Sequence, residues 1–325
     1  MMKKIIVFSI MIISIAYTQE WGGQSGGFLR MGLTARSLAM GGGFTAELDQ
    51  NFPAFHNPAW SAFLQRRHFG SSYTNLTLDR RLAATSFAMS LPPTAGLGVA
   101  WVYGGVSDIQ GRYSTGMKSS KMQTGENALM VTFAQRFVPW LSIGANFKIL
   151  RYDLPITESD QVSGSGIGFD IGILVKTGSN STFGIMVQDL SSNYQWDTNE
   201  LYAQGGPYKE EFPTIYRTGS RFERKGLLFV WDLGIITDLE IRNPPAEWEP
   251  IYIHSTYSGV LPRVGIEYGF LEQYFFRGGY GNGRTAFGVG YEYGLFNSRD
   301  SNIDYAFSLD WASQTAHTIS YAFSF

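Results

Sequence analysis

The chain has 325 residues, no cysteine and a formal net charge of −2. Without cysteine we expect no disulfide framework, thiolate site or lipoprotein anchor, and the near-neutral charge provides no basic field for nucleic acid. Glycine (38 residues) and aromatic residues (15%) are abundant, whereas charged residues make up only 16%. This bias is expected where much of the surface faces lipid.

The amino-terminal residues have the pattern of a secretory signal peptide. Lys3 and Lys4 precede an apolar run over residues 5–16, which matches the charged and apolar regions of such a peptide. The run is too short to span a bilayer, which takes ~20 apolar residues. We therefore expect residues 1–18 to be removed on export, with an uncleaved anchor as the alternative.

Residues 19–65 form a segment that does not alternate between apolar and polar positions. Residues 34–40 predict about two helical turns, which the glycines at 41–43 end. The segment lacks the high charge of a disordered tail, and its apolar side chains need shelter from water. We predict that it folds into the lumen of the barrel described next and plugs it. A linker, or a short helix that caps one end, is the alternative.

Two arginines of this segment are expected to reach the barrel wall. Arg30 and Arg36 have the charge to pair with inward-facing carboxylates. The candidate partners are Asp170, Glu267, Glu292 and Asp310.

Residues 66–325 predict an all-β fold, a transmembrane antiparallel β-barrel of about 14 strands. Segments such as residues 95–103 and 141–149 place apolar side chains at every second position, which puts them on one face of a strand. Short connections alternate with long ones. This is typical of membrane barrels with periplasmic turns and longer extracellular loops, whereas a soluble β-sandwich is the alternative.

Aromatic residues in two of the long loops form a candidate extracellular partner-binding surface. They are Tyr194, Trp196, Tyr202 and Trp248. Aromatic side chains displayed on stiff loops often serve recognition. The alternative is an aromatic girdle at the membrane interface.

The last strand reaches the end of the sequence. Tyr321, Phe323 and Phe325 alternate with small residues, as in the closing strands of bacterial outer-membrane barrels. We predict that these three residues face lipid and act as the signal for the barrel assembly machinery. An even strand count returns Phe325 to the periplasmic rim.

The motifs of the amino-terminal segment resemble those of the PorV/PorQ family of outer-membrane proteins. FLRMG begins at residue 28, ARSLAMGG at residue 35, FTA at residue 44 and NPA at residue 57. Trp60 departs from the family, which usually has glycine after NPA. Beyond residues 26–60 the resemblance is one of architecture and length. The signature residues are Phe28, Arg30, Gly32, Ala35, Arg36, Met40, Gly41, Gly42, Phe44, Asn57, Pro58 and Ala59.

The resemblance implies a fourteen-strand barrel, related to FadL-type fatty-acid transporters, whose amino-terminal segment lies in the lumen. It further implies an outer-membrane component of type IX secretion that holds a secretion subunit or the carboxyl-terminal domain of a secreted cargo. The alternatives are a FadL-like transporter of hydrophobic small molecules and a structural barrel without cargo. Inward-facing positions read as Gly, Ser, Asn, Lys, Asp and Glu, which counts against a fatty acid.

The sequence contains little that indicates catalysis. The four histidines are scattered, and none has metal-ligand spacing. A hydrolase site around His317 would lack a nucleophile elbow, and Gly281-x-Gly283 is followed by alternation rather than by a helix, which indicates a hairpin turn. We therefore expect no catalytic residue, metal or cofactor, and expect partners to be outer-membrane lipid, assembly machinery and secretion proteins.

Overall fold

The computed structural model describes residues 25–48, 52–156, 160–199, 204–236, 259–295, 300–310 and 315–325. The predicted signal peptide, Tyr202 and Trp248 lie outside these residues.

Sixteen strands and four short helices make up the described part of the chain. None of these helices is long and apolar enough to cross a membrane. The helices are a 3-10 helix at Gly27–Arg30, α1 (Ala35–Ala39), α2 (Pro53–His56) and a second 3-10 helix at Pro58–Phe63. The strands are β1 (His68–Leu76), β2 (Arg80–Leu91), β3 (Ala95–Arg112), β4 (Lys118–Val138), β5 (Leu141–Pro155), β6 (Gln161–Lys176), β7 (Ser181–Leu190), β8 (Asn193–Asp197), β9 (Pro207–Glu211), β10 (Ile215–Arg224), β11 (Leu227–Ile236), β12 (Gly259–Phe270), β13 (Tyr274–Gly281), β14 (Arg284–Tyr293), β15 (Ser301–Asp310) and β16 (Thr315–Ser324).

Fourteen of the strands close into one antiparallel barrel. β1 to β7 and β10 to β16 follow one another around the wall, and β7 pairs directly with β10. The first and last strands pair from His68↔Ser324 to Leu76↔Ala316, and this pairing closes the ring. The predicted all-β antiparallel barrel of 14 strands is therefore confirmed.

The two faces of the wall differ in chemistry. On β3, Val99 and Trp101 are 46% and 42% exposed, whereas Ala100 between them is 3% exposed. On β16, Ile319 is 58% exposed and Ser320 is 4% exposed. Aliphatic and aromatic side chains thus point outward, and small or polar ones point inward. An apolar exterior of this kind is the pattern of a membrane-spanning barrel.

One side of the barrel is taller than the other. β3 to β6 have 15 to 21 residues, whereas β12 to β16 have 8 to 12. β1 begins and β16 ends at what we call the short-turn end, where Phe325 N donates to Arg67 O over 3.0 Å. The taller strands rise at the opposite, long-loop end.

A bulge in the tall side directs part of the chain inward. β7 has a positive φ of 61° at Asp189, and its register with β6 shifts between Phe169 and Ile171. Bulges of this kind re-aim a strand. The chain beyond the bulge forms the hairpin β8–β9, which pairs with β6 at Ser165↔Gln195.

The tight turn between β13 and β14 accounts for the glycine motif there. Asn282 and Gly283 have φ values of 54° and 73°, and Gly281 pairs with Arg284 across them. Two positive φ values in a two-residue connection are typical of a type I′ hairpin turn. The interpretation of Gly281-x-Gly283 as a hairpin is confirmed.

The exposed band generates a prediction about its tolerance of charge. Replacing the outward-facing Val99 by arginine should cost about 2–4 kcal/mol of folding stability, because the guanidinium would lie in hydrocarbon. Gln123→Arg, an exposed position higher on β4, is the matched control. Heat-modified gel mobility of the refolded variants measures both. Equal losses at the two positions would contradict the assignment of the lipid face.

The β1–β16 ladder generates a second prediction. Deleting residues 321–325 removes the pairs from His68↔Ser324 to Ser71↔Tyr321, so the barrel cannot close and should not fractionate with the outer membrane. A triple alanine variant of Tyr321, Phe323 and Phe325 keeps the backbone ladder. If the truncation alone abolishes assembly, closure is the cause. If the alanine variant also fails, the aromatic side chains themselves are needed, as an assembly signal requires. Normal fractionation of the truncated chain would contradict both.

Candidate functional site in the barrel interior

The NPA motif ties the amino-terminal segment to the wall through a helix cap. Asn57 Oδ1 accepts a hydrogen bond from Ala59 N over 3.1 Å, which caps the 3-10 helix that Pro58 begins. The other side of the same amide donates to Thr45 O at 2.7 Å and to Ile173 O on β6 at 3.3 Å. One side chain therefore orders the helix and anchors it.

Ala59 lies directly against the wall because the facing residue is glycine. A Cβ on Gly144 of β5 would lie 2.5 Å from Ala59 N, a distance that real Cβ atoms do not adopt. Ser142 Oγ, two residues earlier on the same inward face, donates to Ala59 O over 2.8 Å. The close approach makes the backbone of the segment part of the interior packing.

The ARSLAMGG motif binds the opposite side of the wall. Thr34 Oγ1 accepts from Ser37 N over 3.1 Å and caps α1, and Ala35 N donates to Ser320 Oγ on β16 over 2.7 Å. Gly41 follows the helix with a φ of 66°, and a Cβ there would lie 2.7 Å from Val264 O. A left-handed backbone in contact with a strand requires glycine.

Arg36 pairs with the wall as the sequence predicts. Its Nε donates to Glu267 Oε2 on β12 over 2.9 Å, and its Nη2 donates to Glu47 Oε1 over 3.0 Å. Glu47 also accepts from Arg221 on β10 over 2.8 Å, and Glu267 accepts from Arg277 on β13. The result is an alternating network of charges that joins the segment to three strands.

Arg30 pairs with a carboxylate that the sequence did not single out. Its Nε lies 3.5 Å from Asp189 Oδ2, and both side chains are fully buried. Lys148 on β5 pairs with the same Asp189 and with Asp170 Oδ1, the latter over 2.7 Å. Asp170 therefore belongs to Lys148 rather than to Arg30. Asp189 points inward because of the bulge in β7. No pattern in the sequence predicts a bulge there.

The hairpin β8–β9 covers the long-loop mouth from inside. Tyr194 is 0% exposed and Trp196 is 7% exposed. Tyr194 packs against Phe212 with ring centroids 5.0 Å apart. The prediction that these residues form an exposed partner-binding surface is therefore wrong for Tyr194 and Trp196. The physical reason is the bulge at Asp189, which sends the loop into the barrel, where its rings find apolar surface.

The hydroxyl of Tyr194 makes a hydrogen bond to the wall. It donates to Glu126 Oε2 on β4 over 3.0 Å. Burial, together with the neighbouring Glu126 carboxylate, raises the pKa of the Tyr194 phenol. The phenol therefore stays protonated and keeps donating to the carboxylate.

Apolar side chains from the segment, the wall and the hairpin meet in one interior apolar cluster. The segment provides Phe28, Leu29, Leu33, Phe52, Ala54 and Phe55; the wall provides Leu82, Ala84, Ala100, Val102, Ala128, Met130 and Leu150; the hairpin region provides Tyr194, Trp196 and Phe212. The sequence analysis expected a polar interior. The inward positions of β2 to β5 that enter this cluster are instead apolar.

A polar cavity of about 380 Å³ lies at the short-turn end. His68 and Ser324, which face each other across the β1–β16 seam, line it together with Arg36, Glu223 and Glu292. The charged network of Arg36 and Glu267 therefore borders an open cavity at this end of the barrel.

The remaining signature residues lie within the same packing. Met40 and Phe44 form a buried cluster with Leu228 and Val230 of β11. The guanidinium of Arg36 lies 5.4 Å from the centre of the Phe44 ring. Gly32 and Gly42 both have positive φ.

The three carboxyl-terminal aromatic residues lie along β16, where the rings of Tyr321 and Phe323 stack and those of Phe323 and Phe325 stack with centroids 5.1 Å apart. Phe325 is 51% exposed. Their role in assembly stays a prediction.

No protein-family model matches the chain, and no curated protein matches it. Its fold is similar to those of solved transport proteins. The toluene transporter TodX of Pseudomonas putida is 14% identical, with a TM-score of 0.64 over 90% of this chain and 99% of that chain. The toluene transporter TbuX of Ralstonia pickettii is 16% identical, with a TM-score of 0.62 over 90% of this chain and 98% of that one. A FadL homologue of Pseudomonas aeruginosa is 12% identical, with a TM-score of 0.63 over the same shares.

At these identities the similarity shows a shared fold. It agrees with the FadL-like part of the resemblance drawn from the sequence. The PorV/PorQ part stays a prediction.

The buried ion pairs generate a third prediction. Lys148→Met should destabilise the barrel by about 3–5 kcal/mol, because Asp170 and Asp189 would remain buried without their shared cation. Lys121→Met is the matched control, since Lys121 pairs with Asp108 over 2.6 Å on the exposed surface and should change stability little. The midpoint of the heat-induced mobility change measures both variants. A loss in Lys148→Met no larger than in the control would contradict a structural role for the network.

Proposed function

We propose that the chain is an outer-membrane channel for hydrophobic small molecules whose amino-terminal segment closes the lumen at rest. The observation that carries the proposal is the interior apolar cluster at the long-loop mouth of a closed barrel. The similarity in fold to proteins described as toluene transporters supports it.

The cluster gives an apolar solute a favourable place inside the wall. Val102 and Leu150 are 0% and 1% exposed on the inward faces of β3 and β5, and Phe28 of the segment covers this region. A hydrocarbon that displaces part of the segment or hairpin would exchange one apolar contact for another, at little cost in solvation. A hydrated ion would lose its water there and gain only apolar contacts in return.

Passage requires the segment or the hairpin to move. The segment is tied to the wall by Arg30 with Asp189, by Arg36 with Glu267 and by the Asn57 amide. In this proposal these ties define the closed state, and the polar cavity at the short-turn end is the exit, which is open to the periplasm. The charged side chains of Arg36, Glu47 and Glu267 favour water in that exit.

The same proposal places the protein in the outer membrane of a Gram-negative-type bacterium after removal of residues 1–18. Outer-membrane lipid covers the exposed band, and the barrel assembly machinery inserts the chain.

A second candidate function is the export role that the PorV/PorQ resemblance implies. The observation that favours it is the tight filling of the interior: Ala59 and Gly41 lie so close to the wall that neither Gly144 nor Gly41 has room for a Cβ. In that case the segment would be a permanent plug, and the outer loops would hold a secretion subunit or cargo. Expression of the protein would then not change toluene uptake. Affinity capture of the protein from solubilised envelopes would recover secretion proteins with it.

The channel proposal predicts the effect of removing the segment. A chain without residues 26–46 should fold and show raised ion conductance in planar bilayers, because the side chains that fill the lumen are gone. Phe87→Ala, an outward-facing change on β2 (Phe87 is 37% exposed), is the control that alters the barrel without opening it. Unchanged conductance relative to an already open wild type would place the segment outside the permeation path.

Uptake separates the two functions. Cells that express the wild type should accumulate radiolabelled toluene faster than cells with an empty vector, and should accumulate a labelled hydrophilic sugar no faster. Equal toluene uptake in both strains, with conductance still raised by the deletion, would reject the transport function and leave the plugged scaffold.

A further inference from the structure

A small cavity between the amino-terminal segment and the wall is lined by an excess of positive charge. Its volume is about 40 Å³, and Arg30, Arg217, Arg263 and Arg284 line it together with His56, without any carboxylate among the lining residues. A water needs about 10–15 Å³ by this measure. The cavity therefore has room for a few waters or one small oxyanion.

Two of these arginines, Arg217 and Arg263, share a single nearby carboxylate among the described residues, that of Asp232, which faces Arg263 across the β11–β12 ladder. Arg263 is 4% exposed, and its side chain donates to two neutral oxygens, Asn282 Oδ1 at 3.0 Å and Gly42 O at 3.2 Å. The Nε of Arg217 is buried and has no hydrogen-bond partner among the described residues. A buried guanidinium with unused donors is costly unless an acceptor reaches it.

Each nearby acidic residue is shared between two cations. Asp189 is shared between Arg30 and Lys148. Asp232 uses Oδ2 to accept both the backbone N and the hydroxyl of Thr45, over 3.0 and 2.8 Å, and its Oδ1 is buried without a hydrogen-bond partner among the described residues. This one carboxylate faces both Arg217 and Arg263. Positive charge is therefore in excess around the cavity.

We propose that this cavity binds an oxyanion, a carboxylate or phosphate group, between Arg217 and Arg263. The planar fork of arginine donors matches the oxygens of such a group. Because Arg263 also holds Gly42 O, and residues 29–32 line the same cavity, the bound anion joins segment and wall. Anion binding is thereby linked to the packed position of the segment. The proposal holds whether the barrel transports solutes or not.

The test is the thermal stability of the full chain in a neutral detergent. The buffer anion is 2-(N-morpholino)ethanesulfonate, held at one concentration in every sample, and inorganic phosphate, formate or octanoate is added at constant ionic strength. We expect phosphate and formate to raise the midpoint of the heat-induced mobility change saturably, by about 2–4 °C. If octanoate acts at lower concentration than formate, the natural source is an amphiphile headgroup; if formate acts at the lower concentration, it is a free ion.

Three variants make the result specific. Arg217→Gln should abolish the rise, and Arg151→Gln, at an arginine 62% exposed on the outside of β5, should keep it. Arg217→Lys keeps the positive charge but loses the planar guanidinium with its paired donors. The phosphate concentration that gives half of the maximal rise should therefore increase at least about fivefold. This comparison decides the proposal even where the glutamine variant does not fold.

The proposal is overturned if none of the three anions stabilises the wild type saturably. It is also overturned if phosphate stabilises the Arg217→Lys variant with the same half-saturating concentration as the wild type. Because the readout is stability, these results are independent of conductance and uptake.

Discussion

The closed ladder of hydrogen bonds around the wall is the constraint on which the rest of the molecule depends. In hydrocarbon no water satisfies a backbone N–H or C=O, so an open strand edge is not stable there. The pairing of β1 with β16 satisfies both edges at once. It also fixes which residues of each strand face inward, because a shift by one residue would turn every side chain to the other face.

Closure creates an interior face, and the amino-terminal segment packs against it. Small residues of the wall make room for the segment. Gly144 lies against Ala59, and Ser320 accepts a hydrogen bond from Ala35 N in the first turn of α1. Where the wall carries charge instead, the segment supplies the complement, as Arg36 does for Glu267. Such buried pairs are weak sources of net stability, but breaking one side leaves an uncompensated charge. They therefore specify position more than they contribute stability.

The interior contains regions of different chemistry, and this difference bears on function. Apolar residues of β2 to β5 meet the segment and the hairpin near the long-loop mouth, and a charged cavity of about 380 Å³ lies at the short-turn end. An apolar solute and a hydrated ion would meet opposite conditions in these two regions. The cationic cavity near Arg217 lies at the joint between segment and wall, where an anion would affect their attachment rather than the path itself.

The sequence alone determined the class of fold, the number of strands and the face of each strand. The period of two in segments such as residues 95–103 is a local property, and lipid outside requires the apolar face to be outward, so no long-range information was needed. It also placed Glu267 among four candidate partners of Arg30 and Arg36, because sign and facing follow from the same alternation, but it did not say which carboxylate pairs with which arginine. The order of the motifs along the chain was enough to identify the signature residues. Their roles as helix caps and as close contacts with the wall are visible only in the structure.

Only the tertiary structure decided where the β7–β10 loop goes. Composition marks Tyr194 and Trp196 as aromatic loop residues, which suits an exposed surface as well as a buried one. The bulge at Asp189 depends on how β7 pairs with β6 and buries these rings, and in doing so it brings Asp189 to Arg30 and Lys148. Pairing between strands joins residues that are distant in the chain. For that reason alternation along one strand can predict a face, and cannot predict a bulge, an ion-pair partner or a cavity.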